Sequence, residues 1–184
     1  MLSFMMKDIY NHEILFPPAL SVDISMDEDV PADSLLAVFP LVSTEELKEV
    51  TVFDDGEAVF IGVVDEMERV IAENGVYLCV TARSLAAHLL DNEAMPQSYD
   101  HPSAQLIYER HARDYGLKRG EKDDAACFGK MTVTKGMSQW SVIENFCNAC
   151  YSSKPRVSAD GILYMGGCCF SARPARRGDR RRLL

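Results

Sequence analysis

The sequence predicts an α+β protein, with antiparallel strands in its first half and helices mixed with hairpins in its second. Two turns carry the first half. Asp54-Asp55-Gly56 and Glu73-Asn74-Gly75 each separate runs of strand-forming residues, and Asp-Gly and Asn-Gly supply the positive φ angles of a tight hairpin. Sequential short strands with turn signals and no helix between them argue for an antiparallel barrel or sandwich. The second half changes period. From Ser138 onward, Trp140, Val142, Ile143, Phe146, Cys147 and Cys150 share one arc at about 100° per residue, the mark of an amphipathic helix.

The elements follow in order. Met1 to Asp8 makes a poor signal peptide, because its apolar stretch is short and no small-residue cleavage site follows. No apolar run approaches the roughly 20 residues of a membrane helix, so the reading is a chain folded in a cytoplasm without a membrane anchor. Ala19 to Met26 and Leu35 to Leu41 are weaker strand candidates around the acidic turn Asp27-Glu28-Asp29-Val30-Pro31. Leu47 to Phe53 pairs with Glu57 to Val64. The latter is apolar on both faces, as expected of a central strand covered on both sides. Glu66 to Ala72 pairs with Val76 to Ala82. Ser84 is placed to cap a helix over Leu85 to Asn92. Asp100 and Pro102 start a helix over Ser103 to Tyr115, and Gly116 stops it. Gly116 to Cys127 is charged and reads as an exposed loop, Phe128 to Thr134 as a strand, and Pro155 to Met165 as a third hairpin, built on Asp160-Gly161.

Composition bounds the function. The 184 residues are 47% hydrophobic, enough to bury a core. The net charge of −9 is unevenly spread: from Arg173 onward lie six arginines and one acid, Asp179, leaving 13 basic against 27 acidic residues in positions 1–170. An acidic body disfavours a broad phosphate-binding surface and a specific nucleic-acid partner. The Arg-rich tail holds no aromatic residue for base stacking. It is read either as a nucleic-acid arm or as a frame change, truncation or cloning remnant.

Six cysteines (Cys79, Cys127, Cys147, Cys150, Cys168, Cys169) are expected as reduced thiols without a secretory context. Cys147-x-x-Cys150 has the spacing of half a zinc site, with Cys168 and Cys169 as the other half, or of a redox pair. Against both, the two cysteines lie on the apolar arc beside Trp140 and Phe146, where cysteine acts as a small hydrophobe. The motif also closes a helix rather than opening one. His88 and Asp91 are three apart on the polar side of a helix, either an acid–base pair or a solvated surface pair. His111 lies on an apolar stripe and reads as a packed histidine; His12 and His101 carry no signal. No G-x-S-x-G, H-E-x-x-H, P-loop or G-x-G-x-x-G is present. The reading is therefore no enzyme, with no catalytic, cofactor-binding or metal-binding residue.

An ordered series of segments resembles the baseplate hub proteins of contractile-tailed phages and defective prophages, the late-control-D-like and Mu-like hubs. The series is Asp29 to Ser34, Val50 to Gly56, Phe60 to Glu66, Thr81 to Ala94, Ile107 to Ala112 with Tyr115-Gly116-Leu117, and Lys135 to Cys147 with Pro155-Arg156-Val157 and Asp160-Gly161. The resemblance implies two related β-barrel domains with helical inserts. Three copies would form a ring joining the tail tube to the central spike, with the baseplate built around it. It further implies a first barrel domain over 1–95, a helical insert and incomplete second barrel over 96–167, and an Arg-rich tail over 168–184 expected to be disordered. A hub of this family continues well past the Asp160-Gly161 hairpin, so a truncated or prophage-derived copy is expected. Assembly would take place in the bacterial cytoplasm and end at the virion tail baseplate. The alternative is an OB-like barrel that binds an oligosaccharide or a nucleic-acid single strand, which calls for a basic, aromatic barrel face.

Overall fold

The structure, a computed structural model, describes residues 1–27, 30–120 and 129–166. It is α+β, as predicted, with mostly antiparallel sheets. The first half builds one seven-stranded sheet from β1 (Leu2–Asp8), β2 (Glu13–Phe16), β3 (Ser21–Ser25), β4 (Ser34–Pro40), β5 (Leu47–Asp54), β6 (Glu57–Ala72) and β7 (Gly75–Ser84). Their order across the sheet is β2-β1-β5-β6-β7-β4-β3. Alternation selects the inner face: Phe4 and Met6, Leu35, Ala37 and Phe39, Val50 and Val52, Phe60, and Leu78, Val80 and Ala82 are all buried in one core.

Ring contacts show how far this sheet bends. Strands β1 and β4 stand four places apart, which would separate them by about 19 Å in a flat sheet. Yet the Phe4 and Phe39 ring centroids are 5.0 Å apart, and Phe16 of β2 lies 5.1 Å from Phe39, both edge-on. The sheet is rolled until its two ends meet through side chains. The expected barrel does not close by hydrogen bonds, since β2 and β3 each end the strand order. β2 runs directly into Pro17-Pro18, and proline has no N–H for a closing ladder.

Three further expectations change. The first residues, read only for targeting, form β1; the exposed-side Met5 between Phe4 and Met6 masks the alternation. The segments Glu57 to Val64 and Glu66 to Ala72 are one 16-residue strand with a register shift between Val64 and Glu66. No Gly or Pro breaks the chain there, so the polar Asp65 is a bulge, not a turn. The cover expected on both faces of β6 is partial: Val63 packs against the second core, while Val59 and Ile61 stay half-exposed.

The second half packs three helices and two small sheets into a separate core. Helix α1 (Ala86–Asp91) has Leu85 at its N-cap without a side-chain cap bond, so Ser84 is not the predicted cap. Its hydroxyl instead accepts a hydrogen bond from the Asp33 amide at 3.1 Å, and its amide donates to the Asp33 carbonyl at 2.8 Å. Helix α2 (Ala104–His111) is capped by Ser103, whose side chain accepts from the Leu106 amide at 3.2 Å. It ends earlier than expected: a short 3₁₀ turn over Arg113–Tyr115 follows, and Gly116, at φ 80°, stops the run as predicted. Helix α3 (Gln139–Tyr151) begins at the predicted cap, with the Ser141 amide donating to Ser138 at 3.1 Å.

Strand β8 (Gln97–Asp100) pairs with β10 (Lys130–Val133), close to the expected strand. β9 (Lys118–Arg119) lies inside the segment read as loop, where its two residues run parallel to β12 (Ile162–Tyr164). β11 (Arg156–Val157) and β12 form the third hairpin, with Gly161 at φ 77°. Leu89, Ile107, Val142, Ile143, Phe146 and Leu163 are fully buried at the centre of this core.

Candidate assembly surfaces

The second core contains one buried polar chain. The Nε2 atom of His111 lies 2.8 Å from the Tyr99 hydroxyl, and its Nδ1 lies 2.6 Å from Gln139 Oε1. The Gln139 Nε2 donates to the Glu93 carbonyl at 3.3 Å and to the Tyr115 hydroxyl at 3.2 Å, so Oε1 is the acceptor. Nδ1 therefore donates to Gln139, and in the neutral ring Nε2 accepts from the Tyr99 hydroxyl. Burial lowers the His111 pKa, the Gln139 bond raises it less, and nearby Arg110 lowers it further. His111 is 1% exposed, so no substrate reaches it, and it is a packed histidine, as its place on the apolar stripe implied.

His88 and Asp91 do not form an acid–base pair. His88 stacks on Tyr115 with ring centroids 6.2 Å apart. Asp91 accepts from Arg83 Nη2 at 2.7 Å, and Arg83 also holds the bulged Asp65 through Nε at 2.7 Å and Nη2 at 3.0 Å. The Arg83 hydrogen bonds hold the Asp91 carboxyl below its ordinary range. This fork ties the sheet bulge to α1. His12 carries a role that the sequence did not signal: its Nδ1 sits 2.9 Å from Asp8 Oδ2, and the amides of Tyr10 and His12 donate to Asp8 Oδ1. For Asp8, burial pushes the pKa up, but the bonds from His12 and Tyr10 outweigh it and the net shift is downward.

Cys147 is fully buried in the core beside Ile143 and Phe146, in keeping with the packing account. The reduced-thiol expectation fails for Cys150, which is disulfide-bonded. It sits half-buried in the last turn of α3, at the rim of the arc, where a second sulfur can approach. Cys79 is a free thiol whose pKa is raised by burial and by Glu68 and Glu66, which makes it a poor nucleophile. Cys127, Cys168, Cys169 and the Arg-rich tail lie outside the described residues. Among the described residues no group of His, Cys, Asp and Glu could hold a metal ion.

A small crevice lies where Pro31 and Asp33 meet Trp140, Pro155 and Arg156, with a volume of about 50 Å³. A ligand site ordinarily needs about 300 Å³ or more, so this hollow suits water rather than substrate. Burial there raises the Asp33 pKa against the pull of Arg156. The rolled sheet is packed by its own phenylalanines, Phe4, Phe16, Phe39 and Phe60.

What the surface does offer is strand edge. β5 pairs with β6 only from Glu57 to Val63, and the arm of β6 from Glu66 to Ala72 pairs only with β7. At the tip of this arm Ile71 is 83% exposed, flanked by exposed Val70 and Val76. Across the sheet, the edge strand β2 carries Leu15 at 70% exposure. Long edges with bare apolar residues are what a monomer avoids and an assembled subunit covers.

No protein-family model and no curated protein matches the sequence. Solved structures do. The tail protein of Neisseria meningitidis MC58 superposes on 98% of this chain with a TM-score of 0.73 at 23% identity, using 57% of its own length. The 43 kDa tail protein of prophage MuSo2 from Shewanella oneidensis covers 89% of this chain with a TM-score of 0.72 at 13% identity, over 53% of its length. The PdpA-VgrG complex of Francisella, in its lidded form, matches with a TM-score of 0.55 at 11% identity. The chain shares its fold with these two tail proteins and spans a little over half of their length.

Proposed function

We propose that this chain is a structural component of a phage-type tail baseplate hub, linking tail tube to central spike through a homotrimeric ring. One observation carries the reading: nearly the whole chain, helices included, follows the fold of the Neisseria tail protein. The ordered sequence segments resembling hub proteins support it independently. In this reading residues 1–95 are the first hub domain and 96–167 the helical insert with part of a second. The Arg83 fork joins the sheet bulge at Asp65 to α1 of the second core. The work is complementarity of surfaces, and no residue is assigned a catalytic step. The chain would fold in the bacterial cytoplasm and end in the tail baseplate.

Immunogold electron microscopy of tail particles from a strain carrying this gene tests the reading. Label at the baseplate end of the tail is the expected result. Purified, intact tails that never carry the label would sink it.

A further inference from the structure

We propose that His111 is a proton-operated latch on the β8–β10 ribbon: a second proton on its ring reverses the Tyr99 hydrogen bond and releases the ribbon from α2, while the rolled sheet stays closed. The device acts within one chain and holds whether or not the hub assignment does.

The direction of each hydrogen bond sets the latch. Gln139 Nε2 donates to the Glu93 carbonyl and the Tyr115 hydroxyl, so Gln139 Oε1 accepts from His111 Nδ1. The neutral ring then has one lone pair left, on Nε2, and the Tyr99 hydroxyl donates to it at 2.8 Å. A second proton enters only there. It makes Nε2 a donor facing a hydroxyl that already donates, so Tyr99 has to turn its O–H away. Among the described residues that hydroxyl has no other hydrogen-bond partner. His111 is 1% exposed and Tyr99 8%, so the contact sits out of reach of water. A buried cation beside an unmatched donor is costly, and opening the contact to solvent relieves both.

The surroundings do not offset the cation. On α2 itself, the Arg110 guanidinium opposes a positive ring. β8 presents Tyr99, α3 presents Gln139, and the 3₁₀ turn presents Tyr115 to Gln139. Glu93 offers its main-chain carbonyl, while its carboxylate accepts from the Gly136 amide at 2.6 Å. His88 of α1 stacks on Tyr115. Among the described residues no carboxylate bonds to the His111 ring.

The ribbon is the part placed to yield. β8 and β10 pair only with each other, over four residue pairs. Two strands alone are marginally stable, so the ribbon depends on what it sends into the core. Each strand sends one fully packed side chain, Tyr99 from β8 and Val133 from β10. Losing the Tyr99 contact removes one of these two anchors. The open ribbon leaves His111 to titrate near its ordinary 6.5, and the closed one holds it lower. Opening is therefore favoured as pH falls below about 6.5, until the closed value is passed.

Amide hydrogen exchange of the full chain tests the latch, read by mass spectrometry at about pH 7.5 and about pH 5.5 and corrected for intrinsic exchange. Peptides covering Gln97–Asp100 and Lys130–Val133 should lose protection several-fold, with a ceiling of about tenfold for one proton taken up one unit below 6.5. Peptides of β5 and β7 should keep theirs, since Asp8 of the rolled sheet titrates below 3.8, outside this window. His111→Gln cannot take the charge and should hold the ribbon equally at both pH values. Circular dichroism at about pH 7.5 checks that this variant folds. If it does not, the parent decides: the His111 ring, followed by nuclear magnetic resonance, must gain its charge over the interval in which the ribbon loses protection. Ribbon protection that stays level with pH in the parent overturns the latch. So does a loss shared equally by the rolled sheet, a loss that persists in folded His111→Gln, or a ring that titrates outside the opening interval.

Discussion

Phe39→Ala is the sharpest test of the rolled sheet. Phe39 is fully buried and meets Phe4 and Phe16 edge-on, from strands four and five places away across the sheet. Removing a buried phenylalanine costs about 3–5 kcal/mol through lost transfer energy and the cavity left behind. Each edge-on ring pair is worth about 0.5–1.5 kcal/mol beyond its burial, which places this residue at the upper end of that range. A domain of this size has about 5–15 kcal/mol in all, so the variant should be folded only marginally. Urea unfolding followed by far-ultraviolet circular dichroism measures it, with Phe53→Ala as the control. Phe53 sits half-exposed on the outer face of β5 and should cost about 1 kcal/mol. If Phe39→Ala costs no more than Phe53→Ala, the two ends of the sheet do not meet, and the rolled architecture is wrong.

Other outcomes follow from the same contacts. His111 has a folded pKa below its ordinary value of 6.5, so the unfolded chain binds its proton first as pH falls. Stability should be flat above about pH 6.5 and decline below it until the folded pKa is passed, and His111→Gln should flatten that slope in pH-resolved denaturation monitored by Trp140 fluorescence. Asp8, with its folded pKa below 3.8, behaves in the opposite group: its contribution is present above that value and is lost as pH falls through the folded pKa. Asp8→Asn should therefore remove an acid-range component from the same titration. Ser138→Ala deletes the α3 cap and should cost about 1 kcal/mol in urea unfolding. Cys147→Ser buries a hydroxyl where a thiol packs and should destabilise the second core, while metal analysis of the parent finds no stoichiometric zinc.

Much of the fold is legible in the sequence because its punctuation is local. Gly56, Gly116 and Gly161 hold the positive φ angles their turns demand, and the Ser138 cap with the Trp140 to Cys147 arc places α3 almost to the residue. What stayed hidden depends on distant partners. Ser84 has the composition of a cap, but its hydroxyl is taken by Asp33, 51 positions earlier. The Asp65 bulge looks like a strand break until Arg83 is seen holding it. β8 and β9 are short and polar, and they become strands only because β10 and β12 lie beside them. The chain Tyr99–His111–Gln139–Tyr115 is gathered from positions between Tyr99 and Gln139 on four separate elements, so no motif announces it.

The same distinction separates the two cores from the strand edges of the first sheet. The two cores are filled by their own side chains: phenylalanines in the rolled sheet, and the faces of α2 and α3 with a satisfied polar chain in the second. A histidine with both nitrogens engaged, a carboxylate held in an arginine fork and a thiol of raised pKa are all spent on internal structure. Among the described residues, β2 has a paired strand on one side only and the β6 arm pairs only with β7, with Leu15, Val70 and Ile71 exposed beside them. Strand edges recognise extended strands, because only another strand supplies donors and acceptors at the same spacing.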